Sequence, residues 1–106
     1  MNQAADNTTG SAPTRQLAPW QEDLGIGVLL SAAAFSLYLA TLCPTVYWYD
    51  SAELVAAATV LGIPHPPGYP GYVLLGHVFS WLSEEPAFGV NLMSACFGAL
   101  AVGMFY

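Results

Sequence analysis

Asp50, Glu53 and His65 are the residues of this chain best suited to chemistry. All three fall within one stretch, YDSAELVAAATVLGIPHPPGYPGY, residues 49–72. A carboxylate within reach of a hydroxyl supplies a general base. The run Asp50-Ser51-Ala52-Glu53 also has a purely structural meaning. Its spacing is that of a capping box, in which the first side chain accepts from the N3 amide and the N3 glutamate reaches back. The two meanings are compatible, because a helix start is a rigid place to hold a carboxylate.

The residues after the acids predict the elements that position them. LVAAATVL continues a short helix over 51–61, with Gly62 suited to its C-terminal cap and Pro64 to stop it. Leu54, Ala58 and Leu61 would share a face lying on the bilayer surface or against the bundle. His65-Pro66-Pro67-Gly68-Tyr69-Pro70 then makes a stiff turn, since proline fixes φ and lacks an amide donor. Read alone, a loop histidine is exposed filler. Here the flanking prolines preset its imidazole, and the turn brings it back towards Asp50.

The surroundings are apolar. The chain is 56% hydrophobic and 8% charged, against roughly 25% charged in a soluble domain, so a membrane protein is expected. Leu24 to Cys43 holds no charge and is long enough to cross a bilayer, whose core takes about 20 apolar residues. Its small residues, among them Gly25, Gly27 and Ser31, would let another helix approach closely. Trp20 before it and Tyr47, Trp48 and Tyr49 after it read as interfacial anchors. Further apolar runs over 69–82 and 88–106 read as a second, short span and a third that the chain end truncates. His77, inside the second run, reads as a bundle-facing histidine with a hydrogen bond. The fold class expected is therefore all-α: three polytopic membrane spans and a short juxtamembrane surface helix. Residues 1–19 read as a disordered polar tail. Its Asn7-Thr8-Thr9 triplet would be a glycosylation acceptor only in a secreted segment. Residues 20–106 read as the N-terminal part of a longer multi-spanning protein.

Charge and cysteine content exclude several functions. Formal net charge is −6, and Arg15 is the single basic residue. Nucleic acid is not an expected partner, because phosphate binding needs clustered Lys and Arg. A polybasic lipid patch is absent for the same reason. Cys43 and Cys96 have no metal-ligand spacing and read as small hydrophobes. With Arg15 on the N-terminal side, the positive-inside rule puts the N-terminus in the cytoplasm and residues 44–70 outside.

The run TLCPTVYWYDSAELVAAATVLGIPHPPGYPGYVLLGHVFSWL, followed by VNLMSACFGALAVGMFY, resembles the start of a family of multi-spanning bacterial proteins. That family was long catalogued as a domain of unknown function. It is related to the animal O-mannosyltransferase acting on plexin-type receptor domains, within the GT-C class of membrane glycosyltransferases. The resemblance implies an outward acidic loop, a surface helix and a Pro-Pro turn into the next span. Asp50 and Glu53 fall on the acidic motif, and His65-Pro66-Pro67 on the turn. It also implies membrane lipid surroundings, in a bacterial inner membrane, and a sugar donor carried on polyprenyl phosphate. The acceptor it implies is a hydroxyl of an exported protein or a glycan. Ala52, Gly71 and Gly89 depart from the family pattern, which usually has glycine, a bulky apolar residue and often arginine there. The change at Gly89 is expected to weaken a cytoplasmic-side contact.

On this reading a hexose, mannose by resemblance, is transferred with inversion. Asp50 is the general base, and Glu53 orients the acceptor or the donor sugar. His65 and Tyr69 are the substrate contacts, with His65 on the departing phosphate. No cofactor follows from the motifs, and a divalent-metal requirement stays open. The rival is a non-catalytic transporter or scaffold in which Asp50 and Glu53 only cap a helix. A transporter should carry ionisable groups at the midplane of its spans, where this chain offers only His77.

Overall fold

The computed structural model describes residues 17–106. The polar-tail reading and the Asn7 triplet thus fall almost wholly outside the described residues. The last residue of that expected tail, Pro19, instead opens the first helix. Four helices follow: α1 Pro19–Ala40, α2 Ser51–Val60, α3 Pro70–Ser80 and α4 Pro86–Phe105. No strand occurs among the described residues. Three of the four begin with proline at the first helical position, where its missing amide would be unpaired anyway and its φ is already helical. At the head of α1, Gln21 Oε1 accepts the Ala18 amide at 3.0 Å.

α1 and α4 pack antiparallel. Near the start of α1, Gly27 meets Gly103 of α4, and a Cβ built on Gly27 would lie 3.2 Å from the Gly103 carbonyl oxygen. Ser31 occupies the space a side chain on residue 103 would need. Further along, the Tyr38 ring lies on Gly98, and beyond the end of α1 Asn91 reaches the carbonyls of Cys43 and Thr45. Small residues therefore do bring another helix close, through Gly27 and Ser31. Gly25 faces open space.

This packing corrects the expected three spans to two. α1, with 22 residues, and α4, with 20, are long and apolar enough to cross a membrane. α3 has 11 residues and rises about 16 Å at 1.5 Å each, against a core of about 30 Å. Because α4 runs back along α1, it starts at the end where α1 stops. The Ser83–Pro86 turn and the acidic loop thus lie at the same end of the α1–α4 pair. Gly89 belongs to that end too, and a cytoplasmic-side contact there is incompatible with an outward acidic loop. Gly89 is instead where α4 crosses α3: it sits against the Phe79 backbone carbonyl with no room for a Cβ.

α2, α3 and the first half of α4 make a small core of Val55, Ala58, Ala87, Val90 and Met93, with Tyr72 and Phe79 packed on it. Ala58 and Val90 are fully buried. Gly76 lets α3 lie against α2, since a Cβ there would stand 3.0 Å from that of Ala58. The buried face of α2 is formed by Val55, Ala57 and Ala58. Of the expected Leu54, Ala58 and Leu61 face, Ala58 is fully buried and Leu54 half-buried, but Leu61 is 51% exposed. The reason lies at the C-terminus of α2. Leu61, not Gly62, takes the left-handed conformation, with φ 54°. The Gly62 amide closes onto the Ala57 carbonyl at 2.8 Å, a Schellman-type ending with the left-handed residue one place earlier than expected.

Candidate functional site

Asp50 is the residue before α2, as its type suggested, but the capping box does not form. Asp50 has φ −73° and ψ −1°, and its side chain makes no capping bond. A cap residue normally has extended backbone that aims its side chain at the N2 and N3 amides. Here the preceding residue, Tyr49, takes the left-handed turn at φ 60°, so Asp50 enters already helical and its carboxylate is left free. Ser51 takes a local role instead, its Oγ accepting the Tyr47 amide at 3.1 Å.

Glu53 is directed across to the proline turn. Its Oε1 accepts the His65 backbone amide at 2.6 Å, and its Oε2 lies 3.1 Å from His65 Nδ1. Both carboxylate oxygens are engaged, so Glu53 holds the proline turn. An ionised carboxylate only accepts, so His65 Nδ1 carries a proton and Nε2 is left facing the third group. His65 Nε2 lies 3.9 Å from Asp50 Oδ2. The His65 amide, followed by the Nδ1 bond, holds the Glu53 carboxyl below its usual value; desolvation opposes them and the nearby imidazole charge adds a lesser lowering.

The turn that carries His65 is closed by the Gly68 amide donating to the His65 carbonyl at 3.0 Å. Its Pro66–Pro67 peptide is cis, the arrangement of a type VI turn. Tyr69 follows with φ 42° and sets its ring edge-on to the imidazole, centroids 5.6 Å apart. The four candidate residues, Asp50, Glu53, His65 and Tyr69, are thus brought into one cluster at the head of α2. Two non-glycine residues in left-handed conformation, Tyr49 and Tyr69, flank it. Such strain is most often found at functional sites.

The cluster is open to solvent. The Asp50 side chain is 65% exposed and that of His65 38%. Asp50, Glu53 and His65 can each present one ligand atom, and these atoms lie within 4.8 Å of one another, a spacing a divalent cation could bridge. A groove lies elsewhere, beneath the loop that leads to Asp50. It measures about 640 Å³ and is lined by Tyr38, Thr41, Cys43, Tyr47, Asn91 and Ser94, among others.

Two contacts belong to residues the acids do not touch. His77 Nδ1 lies 2.8 Å from the Ala58 carbonyl, as the bundle-facing reading expected. That carbonyl is one of the last four of α2, which have no partner within the helix. A carbonyl can only accept, so Nδ1 carries the proton. Asn91, which the sequence reading passed over, donates to Cys43 at 2.9 Å and Thr45 at 3.2 Å. An amide inside an apolar run was the available signal, since such a group must find a partner. Cys43 and Cys96 are free thiols, both half-buried.

The family described as "Protein O-mannosyl-transferase TMEM260 N-terminal domain" matches residues 50–106, which contain the whole cluster. The chain is 34% identical over 100 residues to the mouse (Mus musculus) protein named "Protein O-mannosyl-transferase TMEM260", covering 92% of this chain and 14% of the relative. It is 35% identical over 78 residues to the "Protein O-mannosyl-transferase tmem260" of Dictyostelium discoideum, covering 70% of this chain and 10% of the relative. The chain therefore spans a small part of the length of these curated relatives. No solved structure matches it. With more than half of its residues inside the family match, the chain belongs to the protein O-mannosyl-transferase TMEM260 N-terminal domain family.

Proposed function

We propose that this chain is the acceptor-activating part of a membrane glycosyltransferase that moves mannose from a polyprenyl-phosphate donor to a Ser or Thr hydroxyl of an exported protein, or to a glycan. The observation that carries this reading is an Asp50 carboxylate that makes no capping bond and lies 3.9 Å from His65 of a Glu53–His65 pair, at the head of a helix outside the spans. The names of the relatives support mannose and a protein acceptor.

In the proposed step, the acceptor hydroxyl gives its proton to Asp50 as its oxygen attacks the anomeric carbon from the face opposite the phosphate. The bond from that carbon to the phosphate oxygen breaks. The lipid phosphate leaves with the electron pair, and the configuration inverts. Glu53 holds His65 and the proline turn in place through both carboxylate oxygens. His65 and Tyr69 form the wall at which the departing phosphate and the sugar are read. The described residues contain no Lys or Arg, so the remaining phosphate charge is met by parts of the protein beyond these residues. In the proposed orientation the N-terminus is cytoplasmic and residues 44–70 face outward, in a bacterial inner membrane by resemblance.

The transporter or scaffold reading loses its main support, because the capping bonds it invoked are not made. Mass spectrometry of exported proteins from cells with and without the intact protein tests the proposal. Hexose-bearing Ser and Thr peptides should disappear without it, and an unchanged set of glycopeptides would sink the reading.

A further inference from the structure

We propose that Asn91 of α4 is a positioning residue for Asp50, a role that rests on the reading of Asp50 as the general base. Its Nδ2 donates to the carbonyls of Cys43, at 2.9 Å, and Thr45, at 3.2 Å. An amide nitrogen has two hydrogens, so these bonds use its whole donor capacity. The two acceptors lie 48 and 46 residues away in sequence, in the segment that leads from α1 to Asp50. From there the Tyr47 amide is tied to Ser51 Oγ at 3.1 Å, and the Leu54 amide to the Asp50 carbonyl at 2.9 Å. A continuous series of hydrogen bonds and backbone thus joins α4 to the head of α2.

The core of α2, α3 and α4 fixes the body of α2, but little packing holds the segment that leads to Asp50. The groove beneath the segment, about 640 Å³, is bordered by Cys43, Tyr47 and Asn91 themselves. Tyr47 and Trp48 above it are 68% and 76% exposed. Among the described residues, Asn91 ties this segment to α4, while Ser51 at the start of α2 ties it to the next helix. Without its amide the carbonyls of Cys43 and Thr45 lose their partner, and the segment leading to Asp50 is tied to α4 only indirectly, through the core that α2 shares with it. A catalytic group displaced by about 1 Å can cost on the order of 100-fold in rate.

The test uses the full-length protein in membranes, with variants Asn91→Asp, Asn91→Ala and Asn91→Gln. Aspartate keeps the shape but has no hydrogen to give a carbonyl, whereas glutamine keeps the donor. The first readout is the rate at which a maleimide labels Cys43, resolved by peptide mass spectrometry, with Cys96 as internal reference. The second is kcat and KM for transfer from a polyprenyl-phosphate mannose donor. Asn91→Asp and Asn91→Ala should label faster at Cys43 but not at Cys96, and lose up to about 100-fold in kcat with donor KM unchanged. Asn91→Gln should recover most of both. Unchanged Cys43 labelling in folded Asn91→Asp would overturn the proposal, as would full kcat despite faster labelling. Loss of insertion in both Asn91→Asp and Asn91→Ala would overturn it in favour of a purely structural amide. Should Asp50→Asn retain activity, the general-base reading fails separately, and the labelling result then reports on the tether alone.

Discussion

At the residue scale, the cluster separates two carboxylates that look equivalent in sequence. Glu53 has both oxygens occupied by His65, whereas Asp50 has no capping bond. The bound carboxylate suits a positioning role and the free one a proton acceptor. Because its folded pKa is lowered, ionised Glu53 favours the folded turn. That contribution is present above the ordinary carboxylate value of 4.5 and is lost as pH falls through the lower folded value. A carboxyl-carbon NMR titration of Glu53 should therefore show a midpoint below 4.5. In His65→Ala the midpoint should move only part of the way back, since the backbone amide, the largest cause, remains. A full return would show that the imidazole alone sets it. The acids, the histidine and their nearness were legible in sequence, because a proline-rich turn after a short helix must fold back. The partner of Glu53 was not legible. Capping-box spacing is satisfied by residue type alone, whereas the capping bond is lost once Tyr49 takes positive φ and Asp50 enters already helical.

At the element scale, α2 is held at both ends by histidines from outside it. Glu53 at its head grips His65, and the Ala58 carbonyl near its tail accepts from His77. The tail contact satisfies a carbonyl that the helix cannot, on a residue that is fully buried. Replacing His77 by phenylalanine keeps a ring against Trp81, now 4.8 Å away between centroids, but removes the donor. His77→Phe should lower stability by roughly 1–3 kcal/mol, the cost of a buried unpaired group, seen as a lower thermal midpoint in detergent. An unchanged midpoint would mean that water serves the carbonyl instead. The helices themselves were readable from apolar runs, Pro starts and Gly or Pro stops. On the expected face of α2, Ala58 is buried as its spacing indicated, but Leu61 is not, because it leaves the helix in left-handed conformation and the apolar period does not extend through it. The Gly89 contact with Phe79 could not be seen either, as a close approach of two backbones has no one-dimensional signature.

At the scale of the whole molecule, the antiparallel α1–α4 pair decides the topology. An apolar run over 69–82 looks like a span in sequence because composition does not report whether it turns back. The helix it forms ends at Ser80, too short to cross. The two-span arrangement puts residues 49 and 84 on the same side of the membrane. Single cysteines introduced as Tyr49→Cys and Glu84→Cys should both react with an impermeant maleimide added from one side. Reaction from opposite sides would restore the three-span arrangement and separate the acidic loop from the start of α4. That shared side is also what allows Asn91 to reach the segment leading to Asp50, so topology and site stand together.

The free carboxylate of Asp50 is the centre of the account, and its amide analogue tests it most directly. Asparagine matches aspartate in size and is as good a residue at a helix start, so Asp50→Asn should insert and fold as the unaltered protein does. On the proposed function, mannose transfer by the full-length protein, measured alongside thermal unfolding, should fall by the roughly 100-fold to 10,000-fold that a general base contributes, with the thermal midpoint unchanged. Transfer at near-normal rate in Asp50→Asn would contradict the account.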